Sequence, residues 1–560
     1  MGANLVPELV LFIASILDQP PVSFHQPCQS DPILDFRMKN LGLLDGMIPP
    51  ASIGRETVAS NLLTASLILL LSRAVYLALF HPLARYPGPW LARFTNLYSA
   101  YHAWTGDIHV DIYRCHEKYG DRVRYAPNRL LINTSAAVQD IYGHHAPVKK
   151  FRNYRVLAQQ APNTLTMQDK TQHSRRRRVL SQAFSARSLE SWAPKMIAQL
   201  DRLSQVIHSH RASTASSATP SDWTPPLDMA RTFNHLAFDT MTSVSFDSDF
   251  DTLRTPQHRY VMEAIAASNI RLSVLLQAPE LATAHLDGRL FPSSIAGRRQ
   301  FVRFIRGLLG NRLRAPGQGA DLFAFLQQCR DPDTGEALSL TELSTETATF
   351  IIAGSDTTST TMAAVCHYVT GSPRYYQRVV AEVRSTFAAR ADIQLGPALN
   401  ACVFLRACVD EALRLSPPGG SSLWREIEGG GAWIDGQWLP AGCEVGVGIY
   451  SIHHRTADWP DPFHFEPERW LAPAGAPGAP ASLGRPYLPF SLGARSCIGK
   501  PLALAQVMLT LARLFWEFDL RRGEGPELEP EPAAGEEEYV VADHVTAGGR
   551  GPMLCFRPRG

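Results

Sequence analysis

Residues 490–499 read FSLGARSCIG and lead directly into the helical pattern KPLALAQVMLTLARLFWEF, and this stretch decides the fold. Its cysteine, Cys497, stands on a glycine-bearing loop just before a helix N-terminus. There the helix dipole and free backbone N–H groups stabilise negative charge on sulfur. Gly493 and Gly499 allow the backbone to approach a large flat ligand closely. The loop therefore predicts a functional thiolate, whereas a lone cysteine is usually a small buried hydrophobe.

Two more side chains complete the pattern around this sulfur. Phe490 can pack beside it, and Arg495 offers a cation to a carboxylate. The ten residues resemble the haem-binding signature F-x-x-G-x-R-x-C-x-G of the cytochrome P-450 family, and every fixed position is present. The resemblance implies that Cys497 is the axial ligand of a haem b iron, with Phe490, Gly493, Arg495 and Gly499 around the cofactor.

Composition and periodicity bound the rest of the chemistry. The formal net charge of +2 and the interleaving of acidic with basic residues argue against a nucleic-acid-binding protein. The nine cysteines have no paired spacing, so neither a disulfide framework nor a zinc site is predicted and the main body should face a reducing compartment. Helical periodicity over about 109–415, with short strand-like runs, predicts a mainly α fold with a small β component. The cytochrome P-450 fold has this composition.

A second motif, AGSDTT, lies inside the long helical pattern of about 341–369. Threonine, serine and glycine are poor residues for a helix interior, so their local cost suggests a functional reason. The motif resembles the family's oxygen-binding A/G-G-x-D/E-T-T/S sequence. That resemblance implies a local helix distortion over the iron, with Asp356 and Thr357 as the acid–alcohol pair that relays protons to bound oxygen. The alternative is a polar helix face that matches by chance.

A third pattern predicts a structural cluster rather than a catalytic one. Glu411 and Arg414 stand three residues apart in VDEALRLSPP, so they share one face of a helix that the prolines end. Such a pair alone is a weak signal. The later segment FHFEPERW resembles the family's P-E-R sequence, and the resemblance implies that Arg469 joins the pair in a buried triad beneath the haem.

The run HSRRRRVLSQAFS at 173–185 carries the fourth pattern. His173 and Arg177 are one helical turn apart, so both can donate hydrogen bonds to one anionic group. The resemblance implies that both contact a haem propionate, helped by Arg425 and Arg495. The other three arginines of the run are interpreted as a solvated basic face, and they are Arg175, Arg176 and Arg178.

The N-terminal part predicts a membrane anchor. Residues 59–80 are apolar and long enough to cross a bilayer, with Arg73 placed to snorkel or to end the insertion. We expect four parts: an extension of unknown role (1–58), the transmembrane anchor (59–80), a proline-rich hinge (81–93) and a haem-thiolate monooxygenase domain (94–560). Arginines that follow the anchor favour a cytosolic catalytic domain. We expect the anchor to lie in the membrane of the endoplasmic reticulum.

The predicted reaction is the insertion of one oxygen atom from O2 into a hydrophobic small molecule. GGGAW at 429–433 is not a dinucleotide-binding G-x-G-x-x-G motif, so electrons must come from a separate NADPH-cytochrome P-450 reductase. The style of the hinge and the P-E-R segment resembles membrane-bound fungal members, which favours a polyketide or terpenoid substrate. Two alternatives stay open: a haem-thiolate isomerase or dehydratase that does not use O2, and a haem-binding sensor.

Four further segments have weaker interpretations. Residues 271–291 could line an access channel, dip into a membrane or form ordinary core. Three polar or proline-rich stretches are interpreted as surface loops, and they are 211–222, 472–484 and 524–538.

Overall fold

Helices dominate the computed structural model, as the sequence periodicity predicts. It describes residues 55–158, 161–212, 222–314, 321–471, 485–523 and 538–559. Nearly all of the extension 1–58 and of the three predicted surface loops therefore lies outside the described residues. The described α-helices are α1 (Arg55–Val75), α2 (Leu97–Thr105), α3 (Ile108–Tyr119), α4 (Ser135–Tyr142), α5 (Lys170–Ser181), α6 (Ala186–Ala212), α7 (Met229–Phe246), α8 (Tyr260–Gln277), α9 (Glu280–Thr283), α10 (Asp287–Leu290), α11 (Pro292–Arg314), α12 (Leu322–Gln328), α13 (Leu340–Gly371), α14 (Pro373–Thr386), α15 (Pro397–Asn400), α16 (Val403–Leu415), α17 (Ile449–His453) and α18 (Lys500–Glu517).

The strands form small sheets. They are β1 (Arg122–Ala126), β2 (Arg129–Ile132), β3 (Val148–Lys150), β4 (Leu227–Asp228), β5 (Arg425–Ile427), β6 (Ala432–Ile434), β7 (Gln437–Leu439), β8 (Glu444–Gly446), β9 (Phe518–Arg522), β10 (Val541–His544), β11 (Thr546–Gly549) and β12 (Met553–Pro558). A five-stranded sheet has the order β1-β2-β8-β5-β3, and a three-stranded sheet has the order β4-β12-β9. Strands β6–β7 and β10–β11 pair as separate hairpins.

Helix α13 is the long central element of the core. It begins at a capping box, in which Ser339 and Glu342 satisfy each other's backbone N–H groups. It packs against α7, α16 and α18, and most of its C-terminal half is buried. A Cβ at Gly354 would lie 2.6 Å from the Met241 sulfur on α7, so this glycine permits close packing of the two helices. The helix is assigned as α-helical throughout, so the local distortion expected at AGSDTT is not seen.

The chain divides into two compact units, Met1–Ala84 and Arg85–Gly560. In the first unit, α1 continues as a π-helical turn over Tyr76–Phe80. The apolar stretch Ala59–Phe80 is almost wholly exposed and is long enough to cross a membrane. Length and composition alone make this weak support for the predicted anchor.

The second half of the predicted hinge packs on the sheet of the second unit. The Arg124 backbone N–H donates to the Pro87 carbonyl at 2.7 Å. A Cβ at Gly88 would lie only 2.3 Å from the Arg124 carbonyl oxygen, which fixes a close approach to β1. Residues from Arg85 onward therefore belong to the folded body rather than to a free connector.

The apolar side chains of residues 271–291 pack into the core, while residues 283–285 and 288–289 are exposed. Val274, Leu275 and Ala278 are buried at the end of α8 and pack with Ala100 of α2 and with Phe291. Of the three interpretations that the sequence leaves open, core packing is the one that the structure supports.

Candidate active site

The Cys497 loop is closed by its own backbone. The Cys497 N–H donates to the Phe490 carbonyl at 2.8 Å, and the Ser496 N–H donates to the Gly493 carbonyl at 3.1 Å. These bonds hold the sulfur just before Lys500, where α18 begins. Among the described cysteines, Cys497 alone is exposed and the other seven are buried. The loop thus presents a single accessible thiol.

The electrostatic surroundings of this thiol are mixed. Although Cys497 has exposed surface, the protein atoms packed around it desolvate its thiol and raise its pKa, while the backbone N–H groups of Gly499 and Lys500 and the charge of Arg177 act to lower that pKa. The predicted stabilisation by the helix N-terminus is therefore present, but desolvation outweighs it. A metal ion bound to the sulfur would supply the missing positive charge and deprotonate the thiol.

The two signature glycines have different surroundings. Gly493 has φ of 63°, and a Cβ there would lie 2.3 Å from the Tyr142 carbonyl oxygen. The protein backbone itself therefore requires glycine at position 493. A Cβ at Gly499 would lie 3.9 Å from the Cys497 sulfur, which is ordinary contact. Glycine at 499 therefore leaves open space beside the sulfur.

A cavity of about 580 Å³ opens beside this loop. Its walls come from α5, from the loop that carries Cys497, from the start of α18 and from His144, which follows α4. The lining residues include His144, His173, Ser174, Arg177, Phe490, Gly493, Cys497 and Lys500. The sequence-predicted residues His173, Arg177, Phe490 and Gly493 thus lie together with Cys497. The cavity combines an accessible sulfur with an aromatic wall and basic side chains.

Basic groups concentrate around His173. Burial, together with the charges of Arg495, Lys150, Arg177 and Arg425, lowers the pKa of His173 to about 3. At neutral pH the imidazole is therefore neutral, so it can donate one hydrogen bond to an anion but adds no charge.

The arginines of this group also crowd one another. Burial, with the charges of Arg425 and Arg177, lowers the pKa of Arg495 to about 10. Their guanidinium groups donate to main-chain oxygens: Arg177 to the Ser496 carbonyl at 2.6 Å, Arg495 to the Met167 carbonyl at 2.7 Å, and Arg425 to the Trp424 carbonyl at 3.0 Å. These arginines hold the walls of the site in place, and the negative charge of Asp169 acts on Arg495 without forming an ion pair with it.

Lys150 is a member of this group that the sequence analysis missed. It lies on β3 with only 7% of its surface exposed, and its Nζ sits 4.2 Å from the centre of the Tyr154 ring. Burial lowers the pKa of Lys150 well below its usual value, and Arg425 and Arg495 lower it further. Strand alternation is the sequence signal that could have found it. Lys150 stands two residues after the apolar Val148, so both point to the same face of the strand, and both are buried.

No carboxylate among the described residues forms an ion pair with Lys150, Arg177, Arg425 or Arg495. Buried cations are normally paired, because an isolated charge in a protein interior is costly. The cluster therefore calls for an anionic group from outside the chain. A ligand with two carboxylates would match it.

The predicted acid and alcohol lie on α13 but do not bond each other. The Thr357 hydroxyl donates to the Ala353 carbonyl, one turn back, at 2.7 Å. The Asp356 carboxylate accepts from Asn234 on α7 at 3.2 Å and from the Thr546 hydroxyl on β11 at 2.9 Å. Burial raises the pKa of Asp356, and these two hydrogen bonds oppose the increase.

The three predicted triad residues come together as a buried cluster. Arg414 and Glu411 are both fully buried and are joined by two bonds, of 2.7 and 3.0 Å. The Arg469 Nε lies 3.3 Å from the Glu411 carboxylate, and the Trp470 indole donates to it at 2.8 Å. The other donors of Arg414 go to backbone carbonyls, including His453 at 3.0 Å. The cluster ties α16 to the segment that precedes the Cys497 loop.

The remaining arginines of HSRRRR depart from the solvated face that the sequence predicts. Arg176 is buried, and it forms ion pairs with Glu342 and Glu346 on α13. Arg175 and Arg178 both pair with the buried carboxylate of Asp331. Acidic partners more than a hundred positions away in the chain cannot be read from a local run of arginines, so this interpretation is wrong for Arg176.

Comparison with known sequences decides the family. The family model described as Cytochrome P450 matches residues 86–538, most of the chain. The chain belongs to the cytochrome P450 family. The resemblance stated from the sequence is thereby confirmed, together with the mainly helical fold and the enzyme class of a cytochrome P450 monooxygenase.

Curated relatives and a solved structure agree with this membership. The chain is 44% identical to cytochrome P450 monooxygenase poxM of Penicillium oxalicum over 91% of this chain and 96% of the relative. It is 41% identical to cytochrome P450 monooxygenase atnE of Emericella nidulans over 86% of this chain and 93% of the relative. The crystal structure of the cytochrome P450DA heme domain is similar in fold, with a TM-score of 0.64 and 19% identity over 81% of this chain and 93% of that one. The similarity to fungal members is also confirmed.

Membership in the P450 family implies a haem-thiolate cofactor, and the residues present fit one. Cys497 supplies an accessible sulfur at a helix N-terminus, and Gly499 leaves space beside it. The uncompensated basic group beside the cavity suits the propionates of a porphyrin.

Proposed function

We propose that this P450 inserts one oxygen atom of O2 into a hydrophobic small molecule, using electrons from an NADPH-cytochrome P-450 reductase. The observation that carries the proposal is the accessible Cys497 sulfur beside a cavity with an unpaired basic cluster. Cys497 would hold the iron of haem b. His173, Arg177, Arg425 and Arg495, with Lys150, would hold its propionates. A thiolate-bound haem supplies O2 activation, because the sulfur donates electron density through iron.

The protein's own residues would supply position and protons. Phe490 would cover the sulfur, and the Glu411–Arg414–Arg469 cluster would keep the segment before the loop in place. Asp356 and Thr357 would pass protons toward the oxygen that leaves as water. For this the Thr357 hydroxyl must turn from the Ala353 carbonyl, and the Asp356 carboxyl must exchange a proton with its surroundings.

The assignment of the sulfur is tested by spectroscopy. The dithionite-reduced CO complex of the full-length protein should show the Soret band of a thiolate-bound haem. Cys497→Ser should abolish that band, whereas Cys555→Ser, a change at a buried cysteine, should keep it. A wild-type protein without the band would rule out the haem-thiolate assignment.

The proton relay is tested by the coupling of NADPH to product. Thr357→Ala should raise peroxide per NADPH and lower productive turnover by about 10²-fold, the range of general acid–base catalysis. Thr370→Ala is the matched control, since its hydroxyl makes the same bond to a carbonyl four residues back, at Cys366, on the same helix. Turnover without O2 or NADPH would instead favour an isomerase or dehydratase, and haem binding without turnover a sensor.

We propose further that residues 59–80 anchor the chain to the endoplasmic reticulum with the catalytic domain in the cytosol. The apolar, exposed stretch Ala59–Phe80 supports an anchor. In microsomes that contain the full-length chain, protease added outside should digest the C-terminal domain, and carbonate should not extract the protein. A protected domain would reverse the orientation.

The substrate is proposed to be a fungal polyketide or terpenoid intermediate. Fungal relatives in the curated set support a role in that kind of organism. Incubation of the membrane-bound enzyme and a reductase with extracts of the host should reveal a product heavier by one oxygen atom. An extract depleted of polyketides and terpenoids should give no product.

A further inference from the structure

The carboxylate of Asp356 is held at both oxygens by residues outside its own helix. One oxygen accepts from the Asn234 amide of α7 at 3.2 Å. The other accepts from the Thr546 hydroxyl of β11 at 2.9 Å. Neither bond comes from Thr357, so the direction of this acid is set by two elements that are distant from it in sequence.

The donors around Thr546 form a one-way chain. The Asn269 amide of α8 donates to the Thr546 hydroxyl oxygen at 3.0 Å. Because that oxygen is already an acceptor, its single proton is free to go to Asp356. The chain of hydrogen bonds therefore runs from Asn269 through Thr546 to Asp356, whose carboxylate can only accept a hydrogen bond at its end. Such a chain stabilises the ionised form of the acid.

The hairpin that carries Thr546 is itself fixed to the core. Val545, at its turn, has φ of 76°, an unfavourable conformation for a β-branched residue that persists only where the surroundings impose it. The Thr360 hydroxyl of α13 donates to the Ala547 carbonyl at 2.7 Å, and the Ala547 N–H donates to the Pro418 carbonyl at 2.9 Å. The position of the Thr546 hydroxyl is thus set by the hairpin and not by free rotation of an exposed loop.

Charged groups do not compete with these two hydrogen bonds. Burial is the largest effect on the pKa of Asp356 and raises it, and the only opposing effects come from Thr546 and Asn234. The ionisable groups on the packed elements are not among the causes of this shift, and they are Arg231, His235 and Asp239 on α7, Glu263 and Arg271 on α8, and Asp543 and His544 on the hairpin.

We propose that Thr546 is a positioning residue that keeps the Asp356 carboxyl ionised and turned toward the β10–β11 hairpin. The proposal deepens the proposed function, because it rests on Asp356 as part of the proton relay. Release of this bond would free the acid to turn toward Thr357.

The test uses the full-length protein and three variants. Thr546→Val removes the hydroxyl with little change of shape, and Thr546→Ser restores it. Thr360→Val is the matched control, since it removes a different bond between α13 and the same hairpin, does not involve the Asp356 carboxylate, and leaves the hairpin held by the Ala547–Pro418 bond. Infrared difference spectra recorded against pH report protonation of the carboxyl without turnover, and Asp356→Asn identifies its band.

In Thr546→Val the Asp356 band should titrate at higher pH, with about a tenfold smaller ionised fraction on the acid side, because a hydrogen bond to a charged group is lost. Thr546→Ser and Thr360→Val should titrate like the wild type. An unshifted band in Thr546→Val, or an equal shift in Thr360→Val, would overturn the proposal and leave Thr546 a structural residue only.

Peroxide per NADPH, measured against pH in the same variants, separates this proposal from the proposed function. If the coupling profile moves with the infrared titration, both stand. If the band moves and the coupling does not, Thr546 still positions Asp356, but Asp356 is not part of the proton relay.

Discussion

At the scale of single residues, two identical amino acids in one motif can have different roles. Gly493 and Gly499 both belong to the Cys497 loop. The first is required by a positive φ and by the Tyr142 carbonyl, while the second only leaves space beside the sulfur. The distinction needs coordinates, because Tyr142 is far from the loop in the sequence.

Alanine at each position should separate the two roles. Gly493→Ala should lower the free energy of unfolding by about 2 kcal/mol or more, since a Cβ would meet a carbonyl at 2.3 Å in a left-handed backbone. Gly499→Ala should unfold like the wild type but alter the Soret spectrum, because its methyl lies beside the sulfur. Urea unfolding and absorption spectra measure both. Equal stabilities would show that the loop has no strict requirement at 493.

Replacement of Lys150 should have opposite effects on the cofactor-free and the haem-bound protein. Its buried charge is unfavourable without an anion, so Lys150→Met should stabilise the cofactor-free protein. With haem bound, the same change should speed haem loss about tenfold, since a charge-assisted hydrogen bond is lost. Unfolding and haem transfer to a scavenger protein measure the two effects.

The neighbouring Lys149 is the control for this change. It is partly exposed and pairs with Glu426 at 3.3 Å. Lys149→Met should leave haem retention unchanged and alter stability only slightly, as for other surface ion pairs. Equal haem loss in both variants would remove Lys150 from the propionate site.

At the scale of elements, the Glu411–Arg414 pair joins α16 to the segment that leads to the Cys497 loop. Arg414→Leu removes the fully buried partner of Glu411 and leaves Arg469 as the remaining cation beside that carboxylate. The change should lower the free energy of unfolding by about 3 kcal/mol, the lower end for a broken buried ion pair. Arg374→Leu removes an exposed partner of Glu468 and should cost at most about 1 kcal/mol. Thermal unfolding of both variants compares them. A small effect of Arg414→Leu would mean that water reaches the cluster.

The contrast between elements also explains what the sequence could predict. The Cys497 loop and the Glu411–Arg414 pair are local patterns, within ten residues and within one helical turn, so the sequence suffices for them. The partners of Asp356 lie 122 and 190 positions away, and no local pattern indicates them. We expected a distortion of α13 because glycine weakens a helix. Gly354 instead permits the close packing of α13 on α7, and the helix stays regular.

At the scale of the whole molecule, buried histidines set the response to acid. Burial lowers the pKa of His453 to about 3 and of His116 to about 4, and it lowers the pKa of His454 well below its usual value. His453 must stay neutral, because its Nε2 accepts from the Leu488 N–H at 2.8 Å. The pKa of Glu538 is shifted in the other direction, since burial raises it to about 7, and its effect on stability in acid is therefore opposite to that of the histidines.

These shifts predict that His116, His453 and His454 each lower stability on acidification below about pH 6.5, the usual histidine pKa. Between that pH and about 4, the unfolded chain binds a proton at each of these three histidines, whereas the folded chain does not. Each histidine therefore lowers the free energy of unfolding by up to about 1.4 kcal/mol for each pH unit of acidification. Glu538 offsets only one of the three, because its folded form takes up a proton over part of the same range. His453→Gln keeps an acceptor and a donor without a titrating ring, so its free energy of unfolding should fall less steeply between pH 6.5 and 4. Urea unfolding at a series of pH values measures the slopes, and parallel slopes for wild type and variant would show that His453 is protonated in the folded protein.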